Sequence, residues 1–256
     1  MSRVNPSRWT LLIISLLAAP AAFAQSADDQ WHFVVEPYVM FPNVHGTVGL
    51  DDLPDVSIDQ SPSDLFSHLQ FGGMLYLEAH DDRWAIASDF MYSNLAQSAS
   101  ATNPLSYSYA RVDLKQILWE PSVLYRLAPW LEAGAGADLT NLKSTLNITL
   151  QNPLGQLSRS AGMTKTWVDP TIIARVTFPL SNTWSVVARG NVGGFNVSSV
   201  FTWQAQAYVV YRISDGMALS LGYRAISDDY HTGSGTNRFL YNVIMFGPVI
   251  KFAINF

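Results

Sequence analysis

Apolar and polar residues alternate with a period of two along most of this chain, and the charged residues keep to one side of that alternation. Around Val168 the apolar residues take one side, whereas Asp169 and Arg175 take the other. Segments 202–213 and 239–256 repeat the pattern. Because successive side chains of a β-strand point to opposite faces, this period indicates strands with one apolar and one polar face. The chain is therefore predicted to be all-β.

Short turns and longer polar connections separate the alternating segments. The short turns lie at 80–83, 127–130, 179–182 and 214–216 and have residue types that form hairpin connections. The longer connections lie around 50–69, 98–106, 152–162, 193–199 and 227–237. The predicted strands are 31–49, 70–80, 84–97, 107–127, 131–150, 164–179, 184–197, 202–213, 217–228 and 239–256. This arrangement predicts an antiparallel up-and-down transmembrane β-barrel of about 10 strands, with 8 or 12 as alternatives.

The composition favours a barrel that faces lipid. Only 14% of the residues are charged, against roughly 25% in ordinary soluble domains. After the first thirty residues, the sequence has no uncharged apolar stretch long enough for a membrane-spanning helix, which needs about 18 residues or more. A secreted or periplasmic β-sandwich is the competing interpretation, because its strands alternate too. In a sandwich, however, the charged side would have to serve as the water-exposed outer surface, and the tryptophans gathered at one level would have no explanation.

The alternation, carried through all the segments, places a set of charged residues in the lumen of the predicted barrel. They are Glu36, Glu78, Asp89, Glu120, Arg126, Glu132, Asp138, Asp169, Arg175, Arg189, Arg212, Arg224 and Lys251. Reversing one of these strands would place a charge in hydrocarbon, at a cost of about 2–4 kcal/mol for Arg or Lys near the midplane. Arg111, Asp113 and Lys115 fall on the outward side, and we expect them above the bilayer.

Aromatic residues cluster at the ends of the strands that meet the short turns. The predicted aromatic girdle consists of Trp31, Trp84, Trp130, Trp184, Tyr125, Phe178, Tyr211 and Phe256. Amphipathic rings settle at the boundary between lipid and water. Phe256 also resembles the C-terminal aromatic residue with which many outer-membrane barrels end, a feature linked in those families to recognition by the barrel assembly machinery. The expected partners are that machinery, outer-membrane lipid and lipopolysaccharide.

The N-terminal residues have the pattern of a secretory signal peptide. Arg3 and Arg8 precede a short apolar run, and Ala22-Phe23-Ala24 is a small-x-small cleavage pattern. We expect a signal peptide over 1–24 and a mature barrel over 25–256, with a membrane anchor as the alternative. The sequence has no cysteine, which excludes a lipoprotein anchor and disulfides. Its net charge of −5 argues against nucleic-acid binding.

Two local features carry further expectations. Pro37, Pro121, Pro170 and Pro248 lie inside predicted strands, where each removes a ladder donor, and local bulges are the expected accommodation. A short helix is predicted from Ser63 to Leu69, with Ser63 as its cap. A plug or lid is one role that such a helix could have.

The second half of the chain has several short motifs in order. They are Trp167-Val168-Asp169-Pro170 with Arg175, Arg189 to Phe195, Trp203-Gln204-Ala205 with Tyr211-Arg212, Leu221 to Arg224, and Gly247-Pro248. In these motifs the chain resembles a family of largely uncharacterised outer-membrane β-barrel proteins of proteobacteria. Members of that family often have an acidic residue where this chain has Asn191. The resemblance implies a location and a fold, and it brings no established activity.

Three functions are compatible with these residues, and no cofactor or metal site is expected. The nearly equal numbers of acids and bases predict a mutually neutralising network that fills the lumen and has a structural role. The alternative is a narrow passive, porin-like channel for small ions or solutes, with arginines on one wall and acids on the other. The third is a rim-site hydrolase of the omptin type, suggested by Asp229-Tyr230-His231 with Asp51-Asp52 as the acidic pair. An enzyme is the least favoured of the three, and the oligomeric state is left open.

Overall fold

The computed structural model describes residues 30–50, 54–103, 106–152 and 155–256. These residues form twelve β-strands, one short α-helix and one turn of 3-10 helix at Gly235–Asn237. The strands are β1 His32–Met40, β2 Asn43–Leu50, β3 Val56–Gln60, β4 Leu69–His80, β5 Trp84–Asn103, β6 Ser106–Ala128, β7 Leu131–Asn152, β8 Gly155–Pro179, β9 Trp184–Gly193, β10 Phe201–Ser214, β11 Met217–Thr232 and β12 Phe239–Asn255. The helix α1 spans Pro62–His68. No helix among the described residues is long and apolar enough to cross a membrane.

Ten of the strands close into an antiparallel barrel, which confirms the predicted fold class and strand number. Strands β1 and β4 to β12 each pair with their neighbours, and β1 pairs with β12 to close the wall. The tight turns lie at one end of the barrel, called here the turn end. The opposite end is called the loop end.

The predicted first strand, 31–49, is wrong, because it is broken into β1 and β2. Pro42 has no N–H to donate at the break, and the Phe41 N–H donates to the carbonyl of Pro248 at 2.9 Å. Beyond the break, β2 pairs with the loop-end half of β12, and β3 pairs with β2. These two strands are additional to the barrel.

Strands β5 and β8 are longer than the sequence predicted, since they run over Trp84–Asn103 and Gly155–Pro179 and not over 84–97 and 164–179. Strands β6 and β7 lie close to their predicted bounds. All four strands have 20 to 25 residues, whereas β9 has 10. The predicted connections at 98–106 and 152–162 are wrong apart from 104–105 and 153–154, which lie outside the described residues. The connection at 227–237 is shorter than predicted, since β11 runs to Thr232. The four long strands form an extension beyond the rest of the wall at the loop end.

Apolar side chains cover the outer face of the barrel, and the girdle residues lie at its turn end. All eight are exposed, from Tyr125 at 39% to Phe256 at 71%. Several pair across neighbouring strands, with the rings of Trp84 and Tyr125 4.9 Å apart and those of Trp184 and Tyr211 4.8 Å apart. Asp81 supports one turn by accepting hydrogen bonds from the backbone N–H groups of Arg83 and Trp84, both at 2.6 Å.

The prolines within the strands do not cause the predicted bulges. The pairing register is the same on both sides of Pro121, and Pro170 and Pro248 pair in register with Ala137 and Tyr223. At each of these prolines, the hydrogen-bonded ladder to one of the two neighbouring strands has ended or skips a pair. The N–H group that proline lacks is therefore not needed there.

The predicted helix exists, but its cap was misplaced. Ser61 is the N-cap: its hydroxyl accepts from the Asp64 N–H, and the Asp64 carboxylate accepts from the Ser61 N–H. This reciprocal arrangement is a capping box. Ser63, the cap expected from the sequence, lies inside the first turn.

Candidate functional site

The lumen is the candidate site, because every one of the predicted lumen charges lies on the inward register of its strand. Arg212 differs from the others in being exposed, because it lies at the turn-end mouth. Arg175, Arg189, Arg212 and Arg224, the arginines of the suggested channel wall, come from consecutive strands, β8 to β11, and Asp89, Glu120, Glu132 and Asp138 come from β5, β6 and β7. The two sets lie on adjoining parts of the wall, because β7 is next to β8 and Glu132 pairs directly with Arg175.

One arginine–carboxylate pair crosses the middle of the lumen between β9 and β6. The Arg189 guanidinium donates to the Glu120 carboxylate, and the side chains are 5% and 3% exposed. Glu120 Oε2 also accepts from the Asn191 amide at 2.7 Å and from the Gln204 amide at 3.0 Å. A carboxylate that accepts several charge-assisted and neutral hydrogen bonds is well compensated for its loss of water.

A second pair crosses the lumen between β11 and β5. Arg224 Nη1 lies 2.9 Å from Asp89 Oδ2, with side chains 4% and 2% exposed. The Tyr38 hydroxyl links the two, donating to Asp89 Oδ1 at 2.6 Å and accepting from Arg224 Nη1 at 2.8 Å. Arg224 Nη2 also donates to Gln204 Oε1 at 2.7 Å. Gln204 therefore joins this pair to the pair on Glu120, and we call the connected set the crossing network.

A third group of charges lines a cavity of about 440 Å³ at the turn end. Arg175 donates to Glu78, which lies across the lumen on β4, and to Glu132 on the adjacent strand at 2.5 Å. Arg126 Nη2 donates to the same Glu132 at 3.4 Å. We call this cavity the vestibule.

Lys251 lies between the vestibule and the crossing network. Its ammonium group is 3.5 Å from Glu36 Oε2 and lies over the rings of Tyr38, Tyr76 and Tyr208, 4.7 to 5.1 Å from their centroids. Three aromatic faces around one ammonium group give it cation–π contacts in addition to its single carboxylate.

Two predicted lumen acids have no arginine or lysine within ion-pair distance among the described residues. Asp138 Oδ2 is 3.5 Å from the Asn191 amide nitrogen. Asp169 is fixed by Ser199, whose N–H and hydroxyl lie 2.7 and 2.5 Å from its two oxygens. The Ser199 hydroxyl is also 2.7 Å from Asp228 Oδ1. Ser199 thus attaches the loop between β9 and β10 to the barrel wall.

Aromatic rings occupy the lumen nearer the loop end. Trp167 stacks on Tyr230 with centroids 4.3 Å apart and contacts Phe239 and Tyr241. The Trp167 indole N–H also donates to Asp228 at 2.9 Å.

The structure describes only part of the omptin-type site proposed from the sequence. Asp229 and His231 alternate with the inward residues of β11 and therefore lie on its outward side, and Asp51 and Asp52 lie outside the described residues. Within the described ranges no cluster of three or more His, Asp or Glu side chains could hold a metal ion.

Sequence reasoning missed the neutral members of the site. Tyr38, Asn191, Gln204 and Ser199 connect the charged groups, yet only charges were selected from the inward register. For Tyr38, Asn191 and Gln204 the available signal was that register itself, because an uncharged polar residue that alternates in phase with buried charges has to find its partners among them. Ser199 lies in the loop between β9 and β10, where alternation gives no signal.

Comparisons with protein-family models and with curated protein sequences found no match. Among solved structures, the chain is similar to the outer membrane protease OmpT from Escherichia coli, with a TM-score of 0.56 and 9% identity over 92% of this chain and 99% of that chain. The chain has the fold of an outer-membrane β-barrel. The toluene transporter TodX of P. putida has a TM-score of 0.34 at 10% identity, covering 91% of each chain. The attachment invasion locus protein Ail of Yersinia pestis has a TM-score of 0.31 at 8% identity, covering 88% of this chain and 98% of that one. Because these similarities are so remote, they support no inference about the role of this outer-membrane β-barrel.

Proposed function

We propose that the protein is an integral outer-membrane barrel whose lumen is closed by the crossing network, so that it serves a structural role and conducts no ions. The observation that carries the proposal is the pair of buried contacts from Arg189 to Glu120 and from Arg224 to Asp89, which join strands that are not neighbours in the wall. Two strands, β7 and β8, separate β6 from β9, so the first of these contacts crosses the interior.

The size of the barrel supports closure. An eight-stranded barrel is filled by its side chains, whereas about sixteen strands leave an aqueous channel. Ten strands lie near the filled limit, and large inward side chains such as Tyr38, Tyr208 and Trp167 are buried. The vestibule opens at the turn end and stops at Lys251 and Arg189, which line its inner part.

Location in the outer membrane is part of the same proposal. The exposed aromatic girdle at the turn end and the apolar outer wall suit a bilayer with the turn end toward the periplasm. Outer-membrane lipid and lipopolysaccharide are then the surroundings of the wall. The assembly machinery is the proposed partner of the C-terminal strand β12 and of Phe256, which follows it.

The channel and the protease are the alternatives. A passive channel needs arginines that face water, whereas Arg175, Arg189 and Arg224 each contact an acid. A protease of the OmpT kind is not supported by Asp229 and His231, which face away from the lumen. We therefore place no catalytic role on these residues.

Planar-bilayer recording of the refolded mature protein tests the proposal. We expect no resolvable conductance steps from the wild type, and steps from the variant that lacks both crossing pairs, E120A/R189A with D89A/R224A. The matched control is R111A/D113A, which removes an arginine–carboxylate pair of the loop-end extension and is expected to remain silent. Regular ohmic steps from the wild type would contradict closure and favour the channel.

A further inference from the structure

The barrel wall has a gap on one side of β4. The ladder between β1 and β4 ends at the pair of Pro37 with Leu75. Beyond that pair, β1 continues to pair with β12 up to Met40, and β4 continues to pair with β5 up to Leu69. Within the described residues no strand pairs with the free side of β4 from Met74 upward. The two strand segments therefore face each other without a hydrogen-bonded ladder.

A sulfur contact marks the edge of this gap. The Met40 N–H donates to the thioether of Met74 at 3.3 Å, where an intact ladder would offer a carbonyl. A thioether is a weak hydrogen-bond acceptor, so the contact between β1 and β4 at this point is weak. Pro37, which pairs at the last rung, contributes no N–H of its own.

A cavity of about 210 Å³ lies behind the gap. Its lining is apolar and includes four methionines, Met40, Met74, Met91 and Met245, with Leu65 and Phe66 of α1 at the loop-end side. No charged side chain lines it. An engineered apolar cavity of about 150 Å³ stays dry and binds benzene, so this volume is sufficient for an apolar ligand. Methionines adapt their shape to irregular apolar contacts.

The mouth of the cavity opens on the outer wall. Val39 and Phe66 are exposed by 45% and 40%, and a side chain added at Gly73 would meet no atom within 4 Å. The six rungs from His32 to Pro37 span about 20 Å of strand at about 3.3 Å per residue. With a tilt of about 35–45°, the mouth lies roughly 15 Å above the turn end and within an apolar band about 25 Å tall. The mouth therefore faces acyl chains and not headgroups.

We propose that this cavity is a lateral binding site for one acyl chain of an outer-membrane phospholipid, which enters from the bilayer through the gap between β1 and β4. Tyr38 limits its depth, since the ring lines the cavity while the hydroxyl belongs to the crossing network. Phe66 of α1 borders the mouth on the loop-end side, and the centroid of its ring is 5.3 Å from that of Phe41. The site rests on the proposed membrane location and is independent of whether the lumen conducts.

Photolabelling in reconstituted vesicles tests the site. A phospholipid with a diazirine near the end of one acyl chain is incorporated with the full protein, and the labelled residues are mapped by mass spectrometry. We expect labelling at Met91 and Met245, inward side chains that are only 8% and 9% exposed. Ile250, on the outer wall, should be labelled as the positive control. Leu124, inward behind an intact ladder and fully buried, should remain unlabelled.

A substitution at the mouth of the cavity provides a second test of the site. Gly73→Phe places a ring in open space at the gap, and we expect it to reduce the labelling of Met91 and Met245 to the level of Leu124 while Ile250 is unchanged. Absence of label at both methionines in the wild type would overturn the proposal. Labelling by a diazirine fatty acid but not by the phospholipid would also overturn it, because the occupant would then be a free acid.

Discussion

Arg189–Glu120 in the lumen and Arg111–Asp113 on the loop-end extension are arginine–carboxylate pairs with the same chemistry in different surroundings. The lumen side chains are 5% and 3% exposed, whereas the extension side chains are 39% and 26% exposed and lie 2.8 Å apart. The lumen pair joins separate strands across the interior, while the other pair lies along a single strand. Water solvates the extension pair, and its charges lose little when they separate.

The two regions also differ in what keeps their strands together. Inside the lumen, each charge depends on a specific partner, because a buried charge without one is strongly destabilising. In the extension, β5 to β8 pair through an uninterrupted backbone ladder with polar residues on both faces. We therefore expect substitutions in the lumen to act on stability and substitutions in the extension to act locally.

Removing one partner of the lumen pair should have the largest effect. Arg189→Met leaves Glu120 buried without its cation, and we expect a loss of about 3–5 kcal/mol in the free energy of unfolding. The double variant R189M/E120M should recover much of that loss, because two apolar side chains can replace a buried pair at little cost. Urea unfolding of the protein folded into lipid vesicles measures both. Equal losses for the single and double variants would contradict the coupling.

A single acidic residue added to the lumen should have the next largest effect on the free energy of unfolding. In Asn191→Asp, the donor to Glu120 at 2.7 Å is lost, and a third carboxylate joins Glu120 and Asp138. We expect a loss of about 1–3 kcal/mol from the unpaired polar contact. The control is Asn141→Asp in the extension, where the amide donates to Thr166 at 2.6 Å near the surface. A loss in N141D as large as in N191D would show that the two regions do not differ.

The sequence predicted well which side of each strand is charged, and poorly which charged side chains contact each other. Membrane lipid forces charges to one side of each strand, so Glu120 and Arg189 could be placed inward from the period of two alone. Which acid contacts which arginine depends on the register between strands that are far apart in the chain. Asp169 illustrates the difference, since it was counted as one partner in a balanced set of charges and instead accepts hydrogen bonds from Ser199.

The elements that were missed lie where lipid imposes no pattern. Residues 98–106 and 152–162 are rich in Ser, Asn and Gly, so their polarity suggested loops, although the flanking ladder simply continues through most of them. Other errors had a readable signal. Pro42 follows Phe41 within the predicted first strand, and Ser61 with Asp64 forms a capping pattern, so the strand break and the true cap could both have been predicted.

The extension pair should give the smallest effect and a distinct dependence on pH. Hydrogen bonds from the Arg111 guanidinium hold the pKa of Asp113 below its ordinary value. A lowered pKa in the folded state means that the pair stabilises the protein above the ordinary pKa of an aspartate and loses that contribution as the pH falls through the lowered value. Arg111→Ala should leave urea unfolding unchanged within error at neutral pH, because exposed pairs contribute little.

The Asp113 carboxyl itself reports the pair more directly than stability does. Selective isotope labelling of aspartate, followed by NMR titration of the detergent-solubilised protein, should show the Asp113 transition moving toward its ordinary pKa in the Arg111→Ala variant. Asp81, whose pKa is lowered by the backbone N–H groups of Trp84 and Arg83 at the turn end, is the internal control and should not move. If both carboxyls moved together, the substitution would have altered the whole barrel, and the contrast between a coupled lumen and a locally stabilised extension would be lost.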